Sequence, residues 1–170
     1  SMTGEPLAAA QRAAREFLAR TDLAHSSVGV IAFADEVKTV ADACQDAAAL
    51  DRAIGGLHIG MVGGANAATP IARAHKLLGA AGRRFIVVLT DGCWSCQEKA
   101  VRQAEKCRAD GVEVVAVGFG AVDEAFLKRI ASAADLGILT TAGGLVETFG
   151  TIAQAITDYG GTGGLRVKRG

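Results

Sequence analysis

The triplet Thr90-Asp91-Gly92 follows directly on an apolar run at residues 85–89 that is rich in β-branched side chains. This run is too short for a buried helix and long enough for a strand covered on both faces. Because binding groups collect at the carboxyl ends of strands in open α/β sheets, Asp91 is the first candidate functional residue. The alternative is that Asp91 only caps the helix that follows it.

A pair of cysteines lies just beyond this triplet. The chain has four cysteines, of which only Cys93 and Cys96 are close in sequence. No second pair has a matching spacing, so a zinc site is not expected. The Cys-Trp-Ser-Cys spacing before a predicted helix would suit a thiol redox enzyme, which we keep as an alternative. The rest of a thioredoxin-like pattern is missing, and reduced, incidental thiols are typical of a cytoplasmic protein.

Trp94 stands between these cysteines, close to Asp91. A large aromatic side chain at the edge of a sheet has two plausible roles. It either covers the hydrophobic core as a lid, or it anchors a binding partner in an interface. The sequence leaves both roles open.

Composition excludes several classes of protein. The 170 residues are 50% hydrophobic, with 18 basic and 18 acidic residues, which fits one folded domain and predicts no nucleic-acid partner. The longest apolar runs are the size of strands, so no membrane span is expected, and we find no signal peptide. No phosphate-binding glycine pattern and no nucleophile elbow is present, so we expect no enzymatic activity.

Strand-like and helix-like segments alternate along the chain. The hydrophobic pattern predicts helices at residues 6–20, 46–54, 69–78, 97–108, 124–131 and 145–159, and strands at 27–33, 37–40, 85–89, 112–119 and 137–141. This order indicates an α/β fold: a Rossmann-like, doubly wound, mostly parallel sheet with one antiparallel edge strand and helices on both faces. We assign residues 1–158 to the domain and residues 159–170, which are glycine-rich and basic, to a flexible tail.

In the order of its predicted strands and helices, the chain resembles a von Willebrand factor A domain. The resemblance is carried by residues 1–7, by Val28–Phe33 with its hairpin, by Thr90-Asp91-Gly92, and by Val112–Phe119 leading into residues 123–127. It implies a module that docks a protein partner, in many members through a divalent cation at a metal-ion-dependent adhesion site. The alternative function is that the same fold acts as a metal-free scaffold domain within a larger assembly. Composition further suggests a bacterial source.

The resemblance also implies a set of site residues. Mg²⁺ or Mn²⁺ would be held by hydroxyl and carboxylate oxygens, for which Ser1, Thr69 and Asp91 are the matching positions. Thr69 matches by its Thr-Pro-Ile sequence, whereas spacing to Asp91 would place Ala65 there, and both alignments stay open. Around the cation, the loops would touch the partner through Trp94, Thr3 and Asn66.

One part of the family pattern is missing from this chain. The central first strand and the start of the metal loop should precede Ser1, and Met2 would then be a late start codon with Ser1 left from cloning. Alternatively, another chain fills the gap, for which residues 165–168 are the spare strand-like piece. Because two rows of unpaired backbone groups would otherwise be exposed, we expect a homo-oligomer or a strand swap.

Overall fold

A computed structural model describes residues 4–33, 37–58, 70–92, 94–159 and 164–167. In chain order, its elements are α1 (Glu5–Ala19), β1 (Val28–Phe33), β2 (Val37–Cys44), α2 (Ala47–Gly55), α3 (Pro70–Leu78), β3 (Arg84–Thr90), α4 (Gln97–Ala109), β4 (Val112–Phe119), α5 (Glu124–Ile130), β5 (Gly137–Thr140) and α6 (Leu145–Thr157). The predicted alternation of strands and helices is confirmed, with β2 four residues longer than expected because its pairing continues to Cys44. Within the described part of the chain, no helix has the length and apolar character needed to cross a bilayer.

The strands β3, β4 and β5 form a parallel sheet in that order. β3 and β4 pair from Arg84 opposite Val112 to Thr90 opposite Gly118. The central strand β4 is buried along both faces, since the side chains on either side of the pleat are covered by helices such as α4 and α5. A parallel strand covered in this way reads as a continuous apolar run in the sequence. The predicted α/β fold is therefore confirmed.

The hairpin β1–β2 forms a second, antiparallel sheet. A single sheet was predicted, whereas the structure has two, because no described strand joins β1 to β3. Within residues 4–33, 37–58, 70–92, 94–159 and 164–167, no strand pairs with β1 on the side away from β2, and none pairs with β3 on the side away from β4. The two sheets are therefore neighbours without a shared hydrogen-bond ladder.

The hydrophobic core is divided in the same way. The larger cluster surrounds the parallel sheet, and a smaller one contains Leu18, Leu50 and Ile54 beneath the hairpin. Helix α1 joins the two, because Ala9 and Ala13 belong to the larger cluster and Leu18 to the smaller. Helix α3 also packs against both sheets, since it contacts β1, β2 and β3. Helices thus hold the two sheets side by side.

Part of the segment that was expected to be a flexible tail packs on the domain. Leu165 is only 3% exposed and belongs to the larger core cluster. It lies beside Gly111, Val112 and Glu113, at the amino end of β4. The prediction that residues 165–168 are a spare strand is wrong for residues 165–167, because they form no strand and Leu165 packs into the core of its own domain.

A polar cluster joins α3, β3 and α4 at the opposite end of the sheet from Asp91. His75 Nε2 lies 2.7 Å from Asp110 Oδ2, and Arg84 Nη1 donates to the same oxygen at 2.9 Å. The hydrogen bond from His75, followed by that from Arg84, lowers the pKa of the Asp110 carboxyl below its usual range. The ionised carboxylate is therefore stabilised in the folded state.

This cluster predicts a loss of stability in acid. Because the pKa of Asp110 is lower in the folded than in the unfolded chain, the unfolded chain takes up the proton first as the pH falls. The contribution is complete above the ordinary aspartate pKa of about 4 and is lost progressively as the pH falls from there through the lower pKa of the folded state. We expect Asp110→Asn to be less stable than the parent at neutral pH and the difference to shrink in acid, measured by urea unfolding. The exposed Asp42→Asn is the matched control, and a pH-independent difference for Asp110→Asn would contradict the assignment.

Candidate functional site

The carboxyl ends of β3 and β4 form the edge where the candidate site lies. Thr90, the last residue of β3, is 5% exposed, and Asp91 follows it in a half-buried position. Thr90 is paired with Gly118, so Asp91 lies beside the end of β4. There, Gly120 has a φ of 73°, and a Cβ atom on it would lie 3.4 Å from the Asp91 carbonyl oxygen. Two strands and their turns thus fix the backbone of Asp91.

Asp91 is not the cap of the following helix. Helix α4 begins at Gln97, and its N-cap residue is Cys96, whose side chain makes no capping hydrogen bond. The interpretation of Asp91 as a helix cap is therefore wrong, because the intervening residues separate it from the helix. Its carboxylate is placed by the strand end.

Trp94 lies under this edge and faces the core. Its side chain is 5% exposed and packs against Phe33 of β1 and Phe126 of α5, with ring centroids 5.1 and 5.3 Å away. The indole Nε1 donates a hydrogen bond of 3.1 Å to Thr90 Oγ1. Of the two roles left open by the sequence, the geometry is that of a lid on the core. Its apolar body is buried, and its polar N–H has a partner.

Sequence reasoning missed Thr90 and Gly120 as parts of the site. Thr90 supplies the acceptor for the indole, and Gly120 provides the positive φ of the turn beside the Asp91 carbonyl oxygen. A signal for Gly120 was present, because a glycine directly after an apolar strand often supplies a positive φ in the following turn. The signal for Thr90 was weaker, since a threonine at a strand end has many possible partners.

The remaining predicted site residues lie outside the described residues. These are Ser1, Thr3, Asn66, Thr69 and the alternative Ala65. The structure therefore describes Asp91 and Trp94 alone among the predicted positions. Asp91 supplies the hard oxygen donors that Mg²⁺ and Mn²⁺ prefer, so this residue fits a cation site. Within the described residues, no three His, Cys, Asp or Glu side chains are grouped to hold a metal.

The described cysteines are not joined in disulfides. Cys44, Cys96 and Cys107 are free, and Cys93 lies outside the described residues. Burial, and then the nearby charge of Asp110, raises the pKa of the Cys107 thiol to about 11. A thiol with so high a pKa stays protonated at neutral pH and is a poor nucleophile.

An open depression of about 610 Å³ lies next to the candidate site, along the first turns of α4. It is lined by residues 94–99 and by Arg102, which include the charged side chains of Glu98, Lys99 and Arg102. One of its side chains, Glu98, is held by an ion pair of 2.7 Å with Arg129 of α5. The surface at the start of α4 therefore carries charges of both signs.

The chain was compared with known proteins. A family model for the von Willebrand factor type A domain matches residues 1–150. A comparison with curated proteins finds none that matches. Solved structures give further similarities, which at identities below 25% show the fold alone.

The chain is similar to proximal thread matrix protein 1 from the mussel byssus, with 19% identity and a TM-score of 0.73 over 86% of this chain and 41% of that one. It therefore spans less than half of the mussel protein. A second structure of that protein, with zinc in its metal-ion-dependent adhesion motif, gives 18% identity and a TM-score of 0.67 over 89% and 39%. The von Willebrand factor domain of the type V pili tip protein Mfa5 from Porphyromonas gingivalis has 12% identity and a TM-score of 0.79 over 100% and 93%.

Proposed function

Because this chain belongs to the von Willebrand factor type A domain family, we propose that it binds a protein partner through the loops around Asp91. Domains of this family commonly mediate protein interactions and are generally not enzymes. The observation that carries the proposal is the placement of Asp91, half-buried at the carboxyl end of β3 and beside the turn at Gly120. This is the edge at which open α/β sheets bind their ligands.

We further propose that a divalent cation, Mg²⁺ or Mn²⁺, takes part in this binding. Asp91 would hold it together with Ser1 and with Thr69, which matches the family's metal threonine by its Thr-Pro-Ile sequence. A bound divalent cation would supply an electrophilic centre for a carboxylate of the partner. The zinc-occupied motif of the mussel protein supports a cation in this fold.

In this proposal, the buried indole of Trp94 would support the binding site from the side of the hydrophobic core. It fixes Thr90 through the 3.1 Å hydrogen bond and so holds the strand end that carries Asp91. Direct contacts to the partner would come from Thr3 and Asn66, with the charged surface at the start of α4 beside them. The partner would therefore meet a polar rim around a fixed carboxylate.

Metal titration followed by thermal melting tests the cation. At a metal concentration of about one hundred times the Kd, we expect the folded state to gain about 2.7 kcal/mol, which raises the melting temperature by several degrees. Asp91→Ala should abolish most of this shift. Asp42→Ala removes the same charge from an exposed position on β2 and should leave the shift unchanged.

The Asp42→Ala control distinguishes cation binding at Asp91 from a general screening of surface charge by the added salt. Equal shifts in the parent, Asp91→Ala and Asp42→Ala would refute a site at Asp91. If millimolar Mg²⁺ and Mn²⁺ produce no shift in the parent, the domain works as a metal-free scaffold. The partner would then be bound by the polar rim alone.

A further inference from the structure

Helix α4 carries a row of cationic side chains on its outer face. Lys99, Arg102 and Lys106, which we call the basic row, are all exposed. Their spacing of three and four residues places them one above another on a helix, within about 60° of its circumference and about 10 Å of its length. The opposite face of α4, which includes Ala100 and Ala104, is buried, so the basic row faces the solvent.

The basic row has no internal counter-charge. Among the residues that the structure describes, none of its three members forms an ion pair. The neighbouring helix α5 shows the opposite pattern, since Lys128 pairs with Glu124 and Arg129 with Glu98. The two arginines of α1 also have carboxylate partners. In a chain with equal numbers of acidic and basic residues, the basic row is therefore a local excess of positive charge.

The acidic residues of α4 do not reach the basic row. Glu98 is held by Arg129, and Asp110, at the end of the helix, is held by ion pairs with α3 and β3. Glu105 follows Glu98 by seven residues, so it lies on the same side of α4, the side that faces α5. It forms no ion pair within the described part of the chain. The outer face of α4 thus has an acidic side towards α5 and a basic side away from it.

The basic row begins inside the open depression of about 610 Å³ at the start of α4. Lys99 and Arg102 line this depression together with Trp94. Trp94 also makes the hydrogen bond that holds the strand end preceding Asp91. From the depression, Lys106 continues the row about one turn further along the helix. A segment of a partner that docks at the Asp91 edge can therefore follow α4 along the basic row.

The charge and the dimensions of the row define its occupant. Lysine and arginine form charge-assisted hydrogen bonds with carboxylates. In an extended peptide every second side chain lies on the same side, about 7 Å apart, so acidic residues at alternate positions match cations that are spread over about 10 Å. Three cations are few for a nucleic-acid backbone, whose binding commonly uses about 6–10 phosphate contacts. The complementary ligand is an acidic peptide.

We propose that the basic row of α4 binds an acidic, extended segment of the protein partner that docks at the Asp91 edge. This inference rests on the proposed function only for the identity of the partner, because the segment contacts α4 and needs no cation at Asp91. Alternate glutamate or aspartate side chains of the segment lie along the row. Since all of these charges are exposed, the contact is weak by itself and screened by salt. Its linkage to the docking at Asp91 raises its effective concentration.

An acidic peptide tests the proposal on the unmodified chain. The probe has four glutamates alternating with serines, and a matched peptide has glutamine in place of each glutamate. The buffer is freed of divalent cations by a chelating resin, so that no cation links the probe to Asp91. At about 20 mM salt we expect saturable shifts of the backbone amide NMR signals of the basic row, and about 0.5 M salt should weaken binding about tenfold or more. The glutamine peptide should produce no saturable shift.

Two triple variants with the same net charge locate the site. The test variant replaces the basic row by glutamine, K99Q/R102Q/K106Q. The control variant replaces exposed cations of β2, α2 and the C-terminal segment, K38Q/R52Q/R166Q. The test variant should bind the probe about tenfold more weakly, because each exposed ion pair contributes a factor of roughly two to five. The control variant should bind within about twofold of the parent, since its substitutions lie elsewhere on the surface.

Three results would overturn the proposal. The first is the absence of saturable shifts in the basic row, or shifts of the same size with the glutamine peptide. The second is equal weakening in the two triple variants, which would show attraction by net charge alone. The third is tighter binding of a single-stranded DNA with the same number of charges, which would show a nucleic-acid surface. Asp91→Ala should bind the probe at least as tightly as the parent, so failure here is distinct from failure of the cation site.

Discussion

Replacing Trp94 by alanine is expected to destabilise the domain by about 3–5 kcal/mol, the usual cost of removing a buried aromatic side chain. The indole is 5% exposed and lies between Phe33 of β1, in the hairpin, and Phe126 of α5, which packs on the parallel sheet. Its removal leaves a cavity where the hairpin meets the parallel sheet. Hydrogen exchange should therefore speed up most in β1 and β2. Urea unfolding followed by circular dichroism measures the total loss.

Two conservative variants separate packing from hydrogen bonding. Trp94→Phe keeps an aromatic ring but removes the N–H that donates to Thr90 Oγ1, and Thr90→Val removes the acceptor. Each should cost about 1–3 kcal/mol, and the double variant should cost less than their sum. Strict additivity would show that this hydrogen bond contributes nothing. A Trp94→Ala variant that loses less than about 1 kcal/mol would contradict the role of the indole as a lid.

Gly137→Ala should be the second severe substitution. A Cβ atom at Gly137, the first residue of β5, would lie 2.8 Å from both the Cα and the backbone N of Lys128 in α5. These are backbone atoms within a helix, so they cannot move aside as a flexible side chain would. We expect a loss of about 1–3 kcal/mol or more, measured by chemical denaturation, with β5 displaced from α5.

Gly143→Ala is the matched control for this substitution. The nearest atom to a Cβ there is Thr141 Oγ1 at 4.0 Å, and the residue is exposed. Its effect should stay within about 0.5 kcal/mol. If both alanine variants unfold at the same denaturant concentration as the parent, then β5 does not approach α5 as closely as the structure shows.

The sequence was sufficient to predict the elements and the position of Asp91. The unbroken apolar run of β3 and the turn residues after it place Asp91 at a strand end, and this inference needs no information from the rest of the chain. Asp123 caps α5 in a similarly local way, because its Oδ1 accepts from the backbone N atoms of Ala125 and Phe126. Such features depend on neighbours in sequence, and local patterns therefore reveal them.

Features that depend on distant contacts could not be predicted. A tryptophan suits both a core and an interface, so the burial of Trp94 follows only from its contacts with Phe33 and Phe126. Leu165 is one apolar residue after a glycine-rich stretch, without the periodicity that would indicate packing. The close approach at Gly137 involves a helix that precedes it in sequence and returns against β5 only in the folded chain.

The docking of Leu165 has a practical consequence for handling the protein. It fixes Gly164 and Leu165 beside Gly111 and Val112, at the amino ends of the parallel strands and far from the Asp91 edge. A biotin coupled at the exposed position of Arg166, for example to an Arg166→Cys variant, would therefore tether the molecule by its opposite pole. On a biosensor chip, such an orientation would leave the Asp91 side facing the flowing analyte.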